Sequence, residues 1–168
     1  MYRGKRIVQP TSMLRLLPLA LCLAAGAASA QSAGSLAAFA GSWSGSGTLT
    51  RQDGTTERIR CQANYATRDP HSLQQNLRCQ SDNTQFNLVS DVSEAGDRLT
   101  GDWVETTRNA RGSLVGRNQR GTITANVQGP GFTAGVAIAA RGNKQSVEIR
   151  ANGGDISGLS MSLTRAGR

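Results

Sequence analysis

The chain has few of the residues on which enzymatic and metal chemistry usually depend. Its 168 residues include one histidine, three cysteines, two tryptophans, two tyrosines and three phenylalanines. No His, Asp and Glu residues show metal-ligand spacing, and no glycine-rich loop precedes a helix as in phosphate-binding sites. Asp102 and Glu105 fall on opposite faces of one predicted strand, so they cannot act together on a substrate. We therefore expect no enzymatic activity, no metal site and no cofactor.

Long apolar runs are also missing, and the one apolar segment lies near the N-terminus. Residues 13–23 are too few to cross a bilayer, so we expect no transmembrane segment. Basic residues precede this segment, and Ala28-Ser29-Ala30 offers a small-residue cleavage site before Gln31. This pattern predicts a signal peptide over 1–30, starting at Met1 or Met13, and a periplasmic or secreted protein. Acylation of Cys22 is not expected, because Leu21 precedes it where a lipoprotein needs a small residue.

Clustered positive charge is absent as well. The chain carries a net charge of +8, but four of its 19 basic residues lie in 1–30, which leaves 15 basic against 11 acidic residues, or +4. The basic residues occur singly along the predicted strands and are not interleaved with aromatic residues, so we expect no nucleic-acid partner. Outward-facing arginines leave contact with an anionic envelope surface open as an alternative.

Two cysteines remain after residue 30, and their positions predict a disulfide. Cys61 and Cys79 lie symmetrically about Pro70, in a turn-like segment between two strand-like runs. A hairpin about this turn places Cys61 opposite Cys79 and Arg58 opposite Asp82. An even cysteine count suits an oxidising compartment, and no Cys-x-x-Cys motif supports a redox or metal site.

The rest of the chain consists of short alternating segments separated by Gly, Asn, Asp and Pro. We predict one domain over 39–168, preceded by a flexible or short helical lead-in over 31–38. Candidate strands lie near 42–51, 56–66, 72–81, 84–92, 98–107, 112–117, 120–128, 131–141, 145–152 and 158–166. Uniformly short connections favour a single antiparallel up-and-down β-barrel of about eight to ten strands over a sandwich, since closure also removes exposed strand edges.

Gly41-Ser42-Trp43, near the start of the first strand, resembles the Gly-x-Trp signature of lipocalin-like, calycin-type barrels. The longer Gly-x-Trp-x-Gly-x-Gly pattern is similar to the opening of nitrobindin-like barrels. The resemblance implies that Trp43 closes one end of the barrel with Arg165 from the last strand lying over it, a contact that cation–π attraction favours. Nitrobindin-like barrels hold haem through a late histidine, whereas His71 lies in a predicted turn, so haem ligation is not expected.

The alternation also predicts which residues surround a cavity. Several inward positions are small, and apolar residues gather towards the end opposite Trp43, where Glu105 is a polar exception. The predicted lining residues are Leu49, Ile59, Phe86, Trp103, Glu105, Val127, Phe132 and Ala134. We expect the barrel to bind a small apolar or amphipathic ligand there. The alternative is a filled barrel, an envelope interaction or structural protein that contacts a protein or an anionic surface through its arginine-bearing outer face.

Overall fold

The computed structural model describes Met1, Gly4 and residues 36–167. A short 3₁₀ helix over Leu36–Ala38 precedes ten strands. The strands are β1 Gly41–Arg51, β2 Thr56–Asp69, β3 Ser72–Gln80, β4 Gln85–Ala95, β5 Arg98–Glu105, β6 Ala110–Gln119, β7 Thr122–Gly129, β8 Phe132–Arg141, β9 Lys144–Gly153 and β10 Ile156–Arg165. The predicted signal peptide and the start of the lead-in lie almost entirely outside the described residues.

The ten strands form a closed barrel in which every strand pairs antiparallel with its neighbours in sequence and β10 pairs with β1. Tight turns explain this up-and-down order. Pro130 and Gly131 alone connect β7 to β8, and Gly131 adopts a φ of 74°, a left-handed conformation that glycine tolerates best. The predicted all-β barrel and its strand count are confirmed. Among the described residues, no helix is long and apolar enough to span a membrane.

Inward and outward residues alternate along each strand, and the two sides of the barrel are packed differently. The large apolar inward residues of β10, β1, β2 and β3 are at most 5% exposed, apart from Ile156 at the start of β10. Several inward apolar residues of β4 and β6–β9 are only partly buried: Phe86, Leu88, Val92, Leu114, Val127, Phe132, Val136, Ile138 and Ile149. The barrel therefore has one tightly packed wall and one partly accessible wall, in which Ile123 and Val147 are still buried and Ile138 and Ile149 pack against the core.

The predicted disulfide between Cys61 and Cys79 is present, and the two residues are directly opposite in the β2–β3 ladder. The predicted pairing of Arg58 with Asp82 is wrong, because β3 ends at Gln80. The Ser81 hydroxyl accepts a hydrogen bond from the backbone N–H of Thr84 at 2.9 Å and starts a turn there. Arg58 instead donates to the Ser46 hydroxyl at 3.2 Å.

Candidate ligand-binding site

One end of the barrel is closed by the chain segment that precedes β1. Leu36 and Phe39 are fully buried, and the Trp43 indole N–H donates to the Phe39 carbonyl oxygen at 2.8 Å. The Arg165 guanidinium lies 4.2 Å from the centroid of the Trp43 ring. It also donates to the Ala38 carbonyl oxygen at 2.7 Å. Arg165 therefore lies over the Trp43 ring and bonds the lead-in helix beside it.

Gly41 is part of the same closure. Its φ is 116°, and a Cβ atom added to it would lie 3.0 Å from Nη1 of Arg165. Any larger residue would be strained in this backbone conformation and would crowd the guanidinium. The closed end of the barrel thus depends on Gly41 and Trp43 at the start of β1 and on Arg165 at the end of β10.

Polar side chains that were not predicted from the sequence lie inside the barrel, several of them near this closed end. The Tyr65 hydroxyl donates to Oε1 of Gln145 at 3.4 Å, and both residues are buried. This bond joins β2 to β9, which are separated by β1 and β10 in the barrel order, so it crosses part of the lumen. Burial raises the pKa of Tyr65 to about 12, against a smaller opposing effect of the bond to Gln145.

Two further pairs surround the lumen. Asn118 Nδ2 donates to Oε1 of Glu94 at 2.8 Å, and the Ser90 hydroxyl donates to Oε1 of Gln75 at 3.0 Å. Glu94, Ser90 and Asn118 are each less than 9% exposed. The alternation that places Glu105 inward also places these residues inward, so the signal that could have identified them was present in the sequence.

At the opposite end, Trp103 lies against the barrel wall. A Cβ atom on Gly112 would approach the Trp103 ring to 2.7 Å, and one on Gly129 would do the same. The indole N–H donates to the Gln128 carbonyl oxygen at 3.2 Å, and the Phe132 ring lies 5.6 Å away between centroids. Two glycines therefore make room for an indole that covers the backbone of β6 and β7.

Glu105 does not present a free carboxylate to the lumen. Its oxygens accept hydrogen bonds from the backbone N–H groups of Asn87, Thr107 and Arg108 at 2.8–3.0 Å. Burial acts to raise the pKa of Glu105, but these backbone bonds together hold it below its usual value. The residue is an ionised group that organises the turn after β5.

A second carboxylate at this end, Glu57, also has its oxygens occupied by hydrogen-bond donors. Glu57 accepts a bond from Arg51 at 2.6 Å, and its other oxygen accepts one from the Ser81 hydroxyl at 2.6 Å. Bonds from Ser81 and Thr84 lower the pKa of Glu57, and the charge of Arg51 adds to the effect. The network ties the β1–β2 hairpin to the turn before β4. The network is not evident from the sequence, because it depends on contacts between two hairpins.

The predicted lining residues fall into two groups. Leu49 and Ile59 are fully buried in the packed wall, and Phe86 is partly buried on β4. On the accessible side, Val127 is the register partner of Ala134, and Trp103 and Phe132 are close to each other on β5 and β8. The structure thus brings together Trp103, Val127, Phe132 and Ala134, while Leu49 and Ile59 belong to the core. His71 is exposed in the turn between β2 and β3.

No protein-family model matches the chain. A search of curated proteins also gives no match. Among solved structures, the chain is similar to Rv2717c from M. tuberculosis, with a TM-score of 0.65 and 11% identity over 79% of this chain and 95% of that one. It is also similar to the S-type phycobiliprotein lyase CPES from Guillardia theta, with a TM-score of 0.60 and 10% identity over 79% of this chain and 90% of that one. At these identities the likeness shows the fold alone, and the closed ten-stranded barrel fits a calycin- or lipocalin-like fold.

Proposed function

We propose that this protein binds a small apolar or amphipathic molecule inside the barrel, against the accessible wall formed by β4 and β6–β9. The observation that carries the proposal is the contrast between the two walls. Inward apolar residues are at most 5% exposed on β1–β3, whereas Val136, Ile138 and Ile149 are only partly buried although they also face inward. Apolar walls with a few polar groups are typical of small-molecule sites.

The two ends of the barrel support a single direction of access. Trp43, Arg165 and the lead-in helix close one end. At the other end, Phe132 and Val127 are partly exposed and Ala134 offers only a methyl group to the lumen. A ligand would therefore reach the lumen past β7 and β8, beside Trp103, and would have the Tyr65–Gln145 pair beneath it.

The experiment is a fluorescence titration with Nile red, a neutral apolar dye. We expect binding near micromolar affinity that persists at high salt, because burial of apolar surface is not screened by ions. Ala134→Phe should weaken binding about tenfold by filling the lumen, with an overpacking cost of about 1–3 kcal/mol. Ala137→Phe is the matched control, because Ala137 is exposed on the outer face of the same strand. Absence of dye binding, or an equal effect of both variants, would refute a lumenal site.

A second candidate function is contact with an anionic surface through the outer face of β2 and β3. Arg60 and Arg78 line a groove of about 870 Å³, and Arg58 is exposed on the same face. None of the described residues that line this groove is acidic. Charge reversal at Arg58, Arg60 and Arg78 should then abolish sedimentation with anionic vesicles at low salt, and Arg111→Glu, elsewhere on the outer surface, should not.

We also propose that residues 1–30 form a signal peptide that directs the protein to the periplasm or the outside of the cell. The basic start, the apolar segment and Ala28-Ser29-Ala30 support this proposal. The disulfide between Cys61 and Cys79 suits an oxidising compartment. Intact-mass measurement of the protein from its own cells should give a chain that begins at Gln31 and contains no free thiol. A retained N-terminus or a lipid on Cys22 would contradict it.

A further inference from the structure

Gln145 has an unused hydrogen-bond donor inside the barrel. The residue is 2% exposed, and its side-chain oxygen accepts the bond from Tyr65. Its amide nitrogen, Nε2, is buried and has no hydrogen-bond partner among the described residues. A buried donor without an acceptor is costly, so native proteins usually satisfy such groups by protein, water or ligand.

The surroundings of Gln145 limit which ligand groups can supply the missing acceptor. Val147 and Leu163 next to it are buried and apolar, and the lead-in helix covers the end of the barrel below. Gln145 pairs with Leu163 near the end of β10, and its bond to Tyr65 reaches towards β2. The amide therefore lies at the closed end of the lumen, which we call its floor, and not at the open end. A ligand inserted from the open end would meet this amide with its leading end.

The inward-facing charges indicate that this leading end is not an anion. Arg51 is paired with Glu57 at the open end, and the Arg165 guanidinium lies over Trp43 and bonds to the lead-in helix. The other inward carboxylates besides Glu57 are Glu94 and Glu105, and both are buried. Within residues 36–167, no unpaired arginine or lysine faces the lumen to neutralise a carboxylate or phosphate. A buried anion without a partner is strongly disfavoured.

We therefore propose that the lumenal ligand is an uncharged amphiphile whose leading end carries a carbonyl or ether oxygen, and that this oxygen accepts a hydrogen bond from Gln145 Nε2. The proposal rests on the lumenal binding proposed above and adds the chemical class of the ligand. It distinguishes esters, ketones and amides from fatty acids of the same length. Selectivity then comes from one buried donor and from the absence of a cation.

The test uses displacement of Nile red by three compounds of similar length: methyl octanoate, octanoate and octane. Methyl octanoate should displace the dye at about tenfold lower concentration than octane, which corresponds to satisfying one buried donor. Octanoate should be no better than octane. In Gln145→Leu, whose branched side chain is one bond shorter and has no donor, the advantage of the ester over octane should disappear.

A control variant separates the role of Gln145 from general damage to the barrel. Gln62→Leu changes an exposed glutamine on the outer face of β2 and should alter neither binding nor preference.

The outcomes distinguish the two proposals. If no compound displaces the dye and the dye itself does not bind, lumenal binding is refuted together with this inference. If the compounds bind but octanoate is preferred, or if the ester preference persists in Gln145→Leu, lumenal binding stands and the assignment to Gln145 is overturned. If Gln145→Leu does not fold, loss of the ester preference in Gln145→Met, which also lacks a donor, supports the proposal, and its persistence overturns it.

Discussion

The closure of the barrel around Trp43 makes a quantitative prediction about stability. Trp43 is 1% exposed, stacks under the Arg165 guanidinium and donates to the Phe39 carbonyl oxygen. Replacing it with leucine keeps an apolar side chain but removes the ring face and the N–H. Since complete truncation of a buried tryptophan costs about 3–5 kcal/mol, we expect Trp43→Leu to cost about 2–3 kcal/mol.

Arg165→Met is the second arm of the experiment, because methionine keeps much of the apolar stem. The variant loses a cation–π contact of about 1 kcal/mol. It also loses bonds to the Ala38 and Ala40 carbonyl oxygens, each contributing about 1 kcal/mol. Because Arg165 is partly exposed, we expect a total of about 2 kcal/mol.

The double variant measures whether the two side chains act together. If the stacking is energetically real, the double variant should lose about 1 kcal/mol less than the two single variants combined. Urea unfolding followed by far-UV circular dichroism and by tryptophan fluorescence gives the free energies of unfolding. Arg111→Met, an exposed arginine on β6, is the control and should be additive with Trp43→Leu. A coupling below about 0.3 kcal/mol for Trp43 with Arg165 would refute the reasoning.

Three other perturbations follow from the described contacts. Replacing Cys61 and Cys79 with serine should lower the free energy of unfolding by about 3 kcal/mol, and reduction of the native protein should lower the urea midpoint similarly; an unchanged midpoint would contradict this. Glu105→Gln should cost about 1–3 kcal/mol at neutral pH. The folded-state pKa of Glu105 is lowered, so its ionised form stabilises the fold above the usual pKa of 4.5, and this stabilisation is lost as the pH falls through the folded-state pKa. The difference in free energy of unfolding between Glu105→Gln and the native protein should therefore become smaller in acid. Gly112→Ala should destabilise by about 1–3 kcal/mol and shift the emission of Trp103, because the new methyl group would collide with the Gln128 carbonyl oxygen and with the indole; an unchanged emission spectrum would argue against the described packing.

Local patterns were sufficient to predict the strands and the disulfide. Alternation fixes which face of each strand is buried, and short turns force neighbours in sequence to pair. The pairing of Cys61 with Cys79 therefore followed from counting outward from Pro70. The same counting failed for Arg58 and Asp82. The Ser81 hydroxyl accepts a hydrogen bond from the Thr84 backbone N–H, and this turn ends the β2–β3 pairing before Asp82.

The polar interior was harder to predict, because parity shows only that a residue faces inward. Glu105 was identified as an inward carboxylate, but its partners are backbone N–H groups of β4 and of the turn after β5. Arg51 and Glu57 neutralise each other at the end of one hairpin, yet their remaining bonds reach the turn before β4. Such networks depend on three-dimensional register across several strands, which a single sequence specifies only through the complete fold.

The division of the barrel into two walls separates stability from binding. The packed wall contains the disulfide and Trp43, and its large apolar inward residues on β1–β3 are at most 5% exposed. Substitutions there remove contacts that hold the barrel closed. Val136 and Ile149 on the accessible wall have fewer such contacts to lose, because they are only partly buried. Lumen-filling variants on β8 and β9 should therefore reduce ligand binding at a smaller cost in stability than equal changes on β1 and β2, and this difference makes the binding proposals testable in a folded protein.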